Sequence, residues 1–281
     1  MAGNLWIGPP GLLREITQAA RSWDRSAELN VTEFRSLEGR VTVVAPPRTT
    51  RRLKFSWEWL EPADAQHLTR LARRVRGVGT LGRNVYAGGR LAVLDPASVN
   101  LLDPLQAAAQ SERPGGRDHW FTVTGALTIS RFIGDAVLGD CQDPATVIGW
   151  RHGTWAGWPV MPGMQVSWSV PPDWDPGLCR AQLDWKDIDG QYLASSAAPG
   201  WAVTGAAPEG AAFVTPVGAP GSTGTVGLGG ACLTYGEPPT AFALGDGCPA
   251  LAVTAFTDTP ASRLPYRNIS IDLVEVLGAD Q

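Results

Sequence analysis

Leu53-Lys54-Phe55-Ser56-Trp57-Glu58-Trp59-Leu60 reads as a strict alternation of apolar and polar residues. A period of two marks a half-buried strand, with Leu53, Phe55, Trp57 and Trp59 on one face and Lys54, Ser56 and Glu58 on the other. Pro62 follows, at a first helical position where a missing N–H costs nothing. Ala65, Leu68, Leu71, Ala72 and Val75 then recur at helical spacing, and Gly77 supplies a C-cap. A strand therefore runs into one amphipathic helix.

Strand-like runs continue on both sides. Val41–Val44 is a short β-type run ended by Pro46-Pro47, and Tyr86–Leu94 reads as a further strand. Residues 105–117, with an alanine run and then Ser111-Glu112-Arg113-Pro114-Gly115-Gly116, read as a linker. From Trp120 onward, short apolar runs recur at intervals of about ten residues, punctuated by Gly, Pro and Asp, as in a sandwich or jelly roll. Phe121–Ile129, Gln165–Val170, Cys179–Trp185 and Ala211–Val217 are among them. Asp189-Gly190 suits a hairpin turn, since both residues tolerate positive φ. Leu251–Phe256 and Asn268–Val276 are strand-like again.

Composition agrees with this pattern. Of 281 residues, 44% are hydrophobic and 18% charged, which describes a globular chain. The 33 Gly and 23 Pro follow no fixed period, and the 12 Trp suit strands joined by tight turns. Charge is unevenly placed: residues 1–116 hold 16 Lys/Arg and 11 Asp/Glu, whereas residues 117–281 hold 7 and 16. Two surfaces with different neighbours follow. Arg70, Arg73, Arg74 and Arg76 share the helix and read as a solvated or subunit-facing surface, so no nucleic-acid specificity is expected. Gly8, Pro9, Pro10 and Gly11 interrupt the N-terminal residues, and no apolar run is long enough to span a bilayer, so a soluble chain made in the cytoplasm is expected. Cys141, Cys179, Cys232 and Cys248 lack metal-ligand spacing and read as buried free thiols.

Signs of catalysis are few. Gly77-Val78-Gly79-Thr80-Leu81-Gly82 matches a dinucleotide-binding pattern, but it follows a helix and leads towards a strand, the reverse of what phosphate binding requires. His67, His119 and His152 have no ligand partners at metal spacing, so neither metal nor cofactor is expected. Asp184, Asp187 and Asp189 cluster, yet Trp185 breaks the calcium-loop pattern, and a single turn offers no opposed carboxylate pair for glycoside hydrolysis. The expectation is a protein that is not an enzyme. Aromatics say more. Trp168 and Trp185 stand inside strand-like runs and read as core. Trp150, Trp155 and Trp174 stand among Gly, Pro and Asp, where an indole can stack on a sugar, pack a loop or meet a subunit.

Four segments in order carry a resemblance. Trp158-Pro159-Val160-Met161-Pro162-Gly163 through Val166-Ser167-Trp168-Ser169-Val170, then Gln182–Leu193, then Trp201–Ala212, then Gly224–Gly236, together resemble carbohydrate-binding jelly-roll modules. Family modules often carry an Asp-rich calcium site near the first strand, and Phe121–Phe132 offers no such carboxylates. The flanks resemble minor tail proteins of phages infecting actinobacteria, related in style to distal tail proteins. The matching residues are Asn4–Gly8, Phe55–Leu60 with its helix, Ala92–Pro96 with Asn100-Leu101-Leu102, and Ile269–Val276.

Taken together, the resemblances imply a mainly β chain. A distal-tail-like domain with one helix would comprise residues 1–112 and be completed by return strands at 248–281, around an inserted β-sandwich at 117–245. They further imply a structural tail-tip or baseplate protein of the virion, forming a ring of three or six copies. Its partners would be tail tube, tape-measure and hub proteins, with host cell-wall glycans met through Trp150, Trp155 and Trp174. A cell-wall glycoside hydrolase fragment and a free lectin-like protein are the alternatives.

Overall fold

The computed structural model describes residues 4–29, 31–44, 50–74, 90–95, 98–111, 116–131, 136–238 and 242–276. The chain is mainly β and forms two compact units: residues 16–91 with 250–276, and residues 1–15 with 92–249 and the terminal 277–281. The Gly77–Gly82 motif and the first part of the expected Tyr86–Leu94 strand lie outside the described residues.

In the unit of 16–91 and 250–276, β3 (Ser22–Glu28), β6 (Thr50–Leu60), β20 (Leu251–Pro260) and β21 (Arg267–Glu275) build an antiparallel sheet in the order β20-β21-β6-β3. Its hydrophobic face holds Phe55, Trp57, Ile269, Ile271 and Leu273, each at most 2% exposed. Helix α1 (Pro62–Ala72) lies against β20 and β21 and buries Ala65, Leu68 and Leu71. Each fully buried Leu or Phe of this layer contributes roughly 2 kcal/mol. A separate hairpin pairs β4 (Thr32–Arg35) with β5 (Val41–Val44).

The alternation that opens β6 does not run to its end. Leu60 pairs with Arg267 and Trp57 with Ile269, so Glu58 and Trp59 together oppose Asn268 alone. This bulge holds Trp59 at φ 61°, leaves it 44% exposed and puts Leu60 into the core at 0%. The expected fourth inward residue is therefore Leu60 rather than Trp59.

The other unit combines the N-terminal residues 4–15 with 92–249, and its 92–249 segment is inserted between the halves of the first. Its ends lie together, because Leu91 and Leu251, the last and nearly first residues of the flanking halves, exchange backbone hydrogen bonds of 2.7 and 2.8 Å. A small sheet joins β1 (Leu5–Gly8), β2 (Arg14–Ile16) and β7 (Ala92–Leu94). The large sheet runs β15 (Tyr192–Pro199), β14 (Arg180–Lys186), β17 (Phe213–Ala219), β11 (Val147–Trp150) and β8 (Trp120–Thr124), with β12 (Trp158–Pro159) also on β17. Opposite it lies β16 (Ala202–Ala206), β13 (Gln165–Ser169) and β19 (Cys232–Tyr235). A third sheet orders β18 (Gly224–Gly227), β10 (Val137–Cys141) and β9 (Leu127–Arg131). Trp150 of the large sheet meets Trp168 of the facing one edge-on at 4.8 Å, so the core of this sandwich is indole-rich.

Boundaries fall elsewhere than at 112, 117, 245 and 248. Residues 4–15, 92–111 and 246–249 belong with the sandwich unit, β1 through its pairing with β7, and for the inner boundary Asn100 shows why. Its buried amide donates to the Ala231 and Ala243 carbonyls at 3.1 and 2.8 Å, and its Oδ1 accepts from Leu102 N and Leu233 N at 3.1 Å each. The expected linker likewise opens as a helix: α2 (Pro104–Ala107) is capped by Asp103, which accepts from Leu105 N at 2.9 Å. Gln106 within this helix donates to the His119 and Arg151 carbonyls.

Candidate functional site

Of the three tryptophans expected to meet a ligand, two are core. Trp150 is 0% and Trp174 is 3% exposed, so neither offers a ring face to a sugar. Trp150 ends β11 and points to the same side as Ile148, while Trp174 packs on Trp150 at 6.1 Å and donates to the Gly227 carbonyl at 2.8 Å. Neighbouring Gly, Pro and Asp residues do not keep an indole at the surface when tertiary packing supplies a pocket and an acceptor.

Trp155 is half-buried, in the loop between β11 and β12. His152 holds that loop. Its Nδ1 accepts from Thr154 N at 3.1 Å and Trp155 N at 3.2 Å, which assigns the ring proton to Nε2, donated to the Cys248 carbonyl at 2.8 Å. The Trp155 ring stacks on the imidazole at 4.9 Å and Trp158 meets it edge-on at 5.3 Å. Burial lowers the His152 pKa to about 4, against the opposing pulls of the Cys248 carbonyl and Asp103. Neutral imidazole is what the hydrogen bonds require.

The loop borders the outer face of the large sheet. Along β14, Ala181, Leu183 and Trp185 are buried, which turns Arg180, Gln182, Asp184 and Lys186 outward. Asp184 stands in register with Ser195 on one side and Thr215 on the other. Gln182 Nε2 donates to Asp184 Oδ1 at 2.6 Å. Lys186 Nζ and Thr215 Oγ1 both donate to the Ala156 carbonyl, at 3.0 and 3.1 Å. Burial raises the Asp184 pKa and lowers that of Lys186, and each one's charge partly offsets the other's shift. On β8 the Phe121 ring lies over Gly149, where an added Cβ would come within 2.3 Å of it, and the Arg151 guanidinium sits 5.6 Å above the ring.

This face offers an aromatic ring, an amide, a carboxylate and an ammonium. Such a set can stack on and hydrogen-bond a polyhydroxylated ligand. Both register neighbours of Asp184 are hydroxyl residues rather than a second carboxylate. Asp187 and Asp189 do not join it: the Asp187 carboxylate accepts from Asp189 N and Gln191 N and shapes the hairpin turn. Among the described residues no group of three His, Cys, Asp or Glu could hold a metal ion, and no helix is long and apolar enough to cross a membrane. Burial pushes the Cys232 thiol up to about 12 and raises Cys141 and Cys179, so these thiols stay protonated at neutral pH.

Sequence reasoning missed Phe121, Gln182 and Lys186. The alternation of residues 180–186 carried the signal for two of them, because a strand that buries Trp185 must turn its neighbours out. Phe121 had no such signal, since its place depends on Gly149 in the next strand.

No protein family and no curated protein matches the sequence. Among solved structures, the chain is similar to the enzymatically active domain of bacteriophage CBA120 tailspike protein 4, at 13% identity and a TM-score of 0.32. The match covers 49% of this chain and 21% of that one, and at that score nothing about fold or activity follows.

Proposed function

We propose that this chain is a non-enzymatic structural protein of a bacteriophage tail tip, assembled as a ring of three or six copies. Its inserted jelly-roll sandwich contacts host cell-wall glycans through the outer face of the large sheet. The observation that carries this reading is the closure of one sheet by distant segments: β21 pairs with β6 while a complete sandwich leaves from Leu91 and returns at Leu251. A segment inserted between sheet-forming strands supports the distal-tail reading, and an insert whose ends meet disturbs its host sheet little. Phe121, Gln182, Asp184 and Trp155 supply the glycan contacts, and repetition around a ring turns weak single sites into avid binding.

The reading is tested on virions encoding the chain. Antibody against it is expected to label the tail tip in electron micrographs, and particles without label there would overturn the proposal. For the glycan arm, Phe121→Ala and Gln182→Ala should each weaken binding of the chain to purified cell-wall polysaccharide about tenfold with the melting curve unchanged.

A further inference from the structure

We infer that the Trp59 corner of one copy docks onto the Trp201 surface of a second copy. This deepens the ring reading above by naming the surfaces that would meet. A bulky residue at φ 61° is strained and persists only where its surroundings over-determine it. Here the bulge opposite Asn268 imposes it, with Asn268 Oδ1 accepting from Trp59 N at 3.1 Å. The result is an indole held outward, with Tyr266 edge-on at 6.4 Å and Leu264 75% exposed two residues before it.

The polar groups around this corner are engaged with one another. Glu58 pairs with Arg21, Gln18 donates to the Glu58 carbonyl, and Arg267 pairs with Asp258. They leave no convergent set to read sugar hydroxyls. An aromatic centre within an occupied polar rim is the composition of a protein interface.

Charge identifies the partner. The unit carrying Trp59 holds 16 Lys/Arg and 10 Asp/Glu, whereas the inserted unit holds 7 and 17. On the inserted unit, Trp201 is 46% and Leu178 55% exposed, beside exposed Asp173 and Asp175. Trp201 Nε1 donates to the Trp174 carbonyl at 2.7 Å, and Gly200 N donates to the Cys179 carbonyl at 2.9 Å, so this indole too is fixed in place. An aromatic corner on the basic unit and an acidic aromatic surface on the other unit make a heterologous contact between copies, the kind that can close into a ring.

Sedimentation velocity of the full chain tests the docking. Wild type should associate with rising concentration, and less so in high salt. Trp59→Ser, which removes an exposed ring, should weaken association about tenfold with the melt intact. Trp59→Gly, which suits the positive φ, should weaken association as much without any loss of stability. Arg263 is exposed next to Leu264, and Arg263→Glu and Asp173→Arg should each weaken association, the two together restoring it. Association unchanged in the Trp59 variants, no recovery in the double reversal, or a wild type monomeric at every concentration would each overturn the docking. Tip labelling is read on the particle, so either proposal can fail without the other.

Discussion

Trp57 and Trp59 lie two residues apart on one strand, 1% and 44% exposed, while Trp150, Trp158, Trp168, Trp174 and Trp185 of the inserted unit are all 3% exposed or less. In the sandwich, regular strands aim every second side chain between two sheets, and four of those five indoles donate to a carbonyl or hydroxyl within it. In the four-stranded sheet one extra residue opposite Asn268 reverses the pattern. The contrast teaches that an indole's exposure depends on local backbone irregularity more than on how many aromatics surround it. A buried indole is a stability element. An indole expelled by a bulge is a surface element, and the backbone bears its cost.

That contrast can be broken by substitution. Trp150→Ala, which empties a site shared with Trp168 and Trp174, should cost about 4 kcal/mol in a chemical denaturation curve. A loss under 1 kcal/mol would mean the sandwich core is not as packed as its burial indicates. The His152 latch gives the next largest effect. Its imidazole is neutral in the fold and protonates near pH 6.5 when unfolded, so its contribution is complete above that pH and is lost as pH falls towards about 4. The loss is roughly 3 kcal/mol, and His152→Gln should flatten this part of the pH–stability profile. An identical profile in the variant would show that the ring does not anchor the loop.

Smaller effects sharpen the comparison from the other side. Trp59→Gly should stabilise the chain by about 1 kcal/mol through relief of backbone strain, the opposite sign to Trp150→Ala. A clear loss in thermal melting would show that Trp59 packs more than its exposure indicates. Trp155→Ala, half-buried on an imidazole, should cost under about 1.5 kcal/mol and have its main effect on polysaccharide binding.

Local pattern made the regular parts legible. The alternation of 53–57, the helix opening at Pro62, the Asp189-Gly190 turn and the last strand could all be read from spacing, because each is decided by neighbours in sequence. The Trp59 bulge could not, since the residue that defines it is Asn268, far along the chain. Trp150 and Trp174 were misplaced for a related reason: their pockets come from Trp168, Val170 and Gly218 on other strands. The stretch after Asp103 has linker composition, but Gln106 ties it to the His119 and Arg151 carbonyls, partners that composition does not reveal. The candidate face was half legible, with Gln182, Asp184 and Lys186 implied by strand period and Phe121 hidden.

Asn100 has a further consequence for how the molecule is made. Its four partners lie at Leu102, Ala231, Leu233 and Ala243, and Gly245 approaches so closely that an added Cβ would fall 2.1 Å from the Asn100 carbonyl. On a nascent chain emerging from the ribosome, this amide therefore stays with water until more than a hundred further residues have been translated. Strand β6 waits longer still for β21. Neither unit can finish before the residues around Ala243 and β21 have been made, so chaperone shielding of the early strands is the expected companion of this topology.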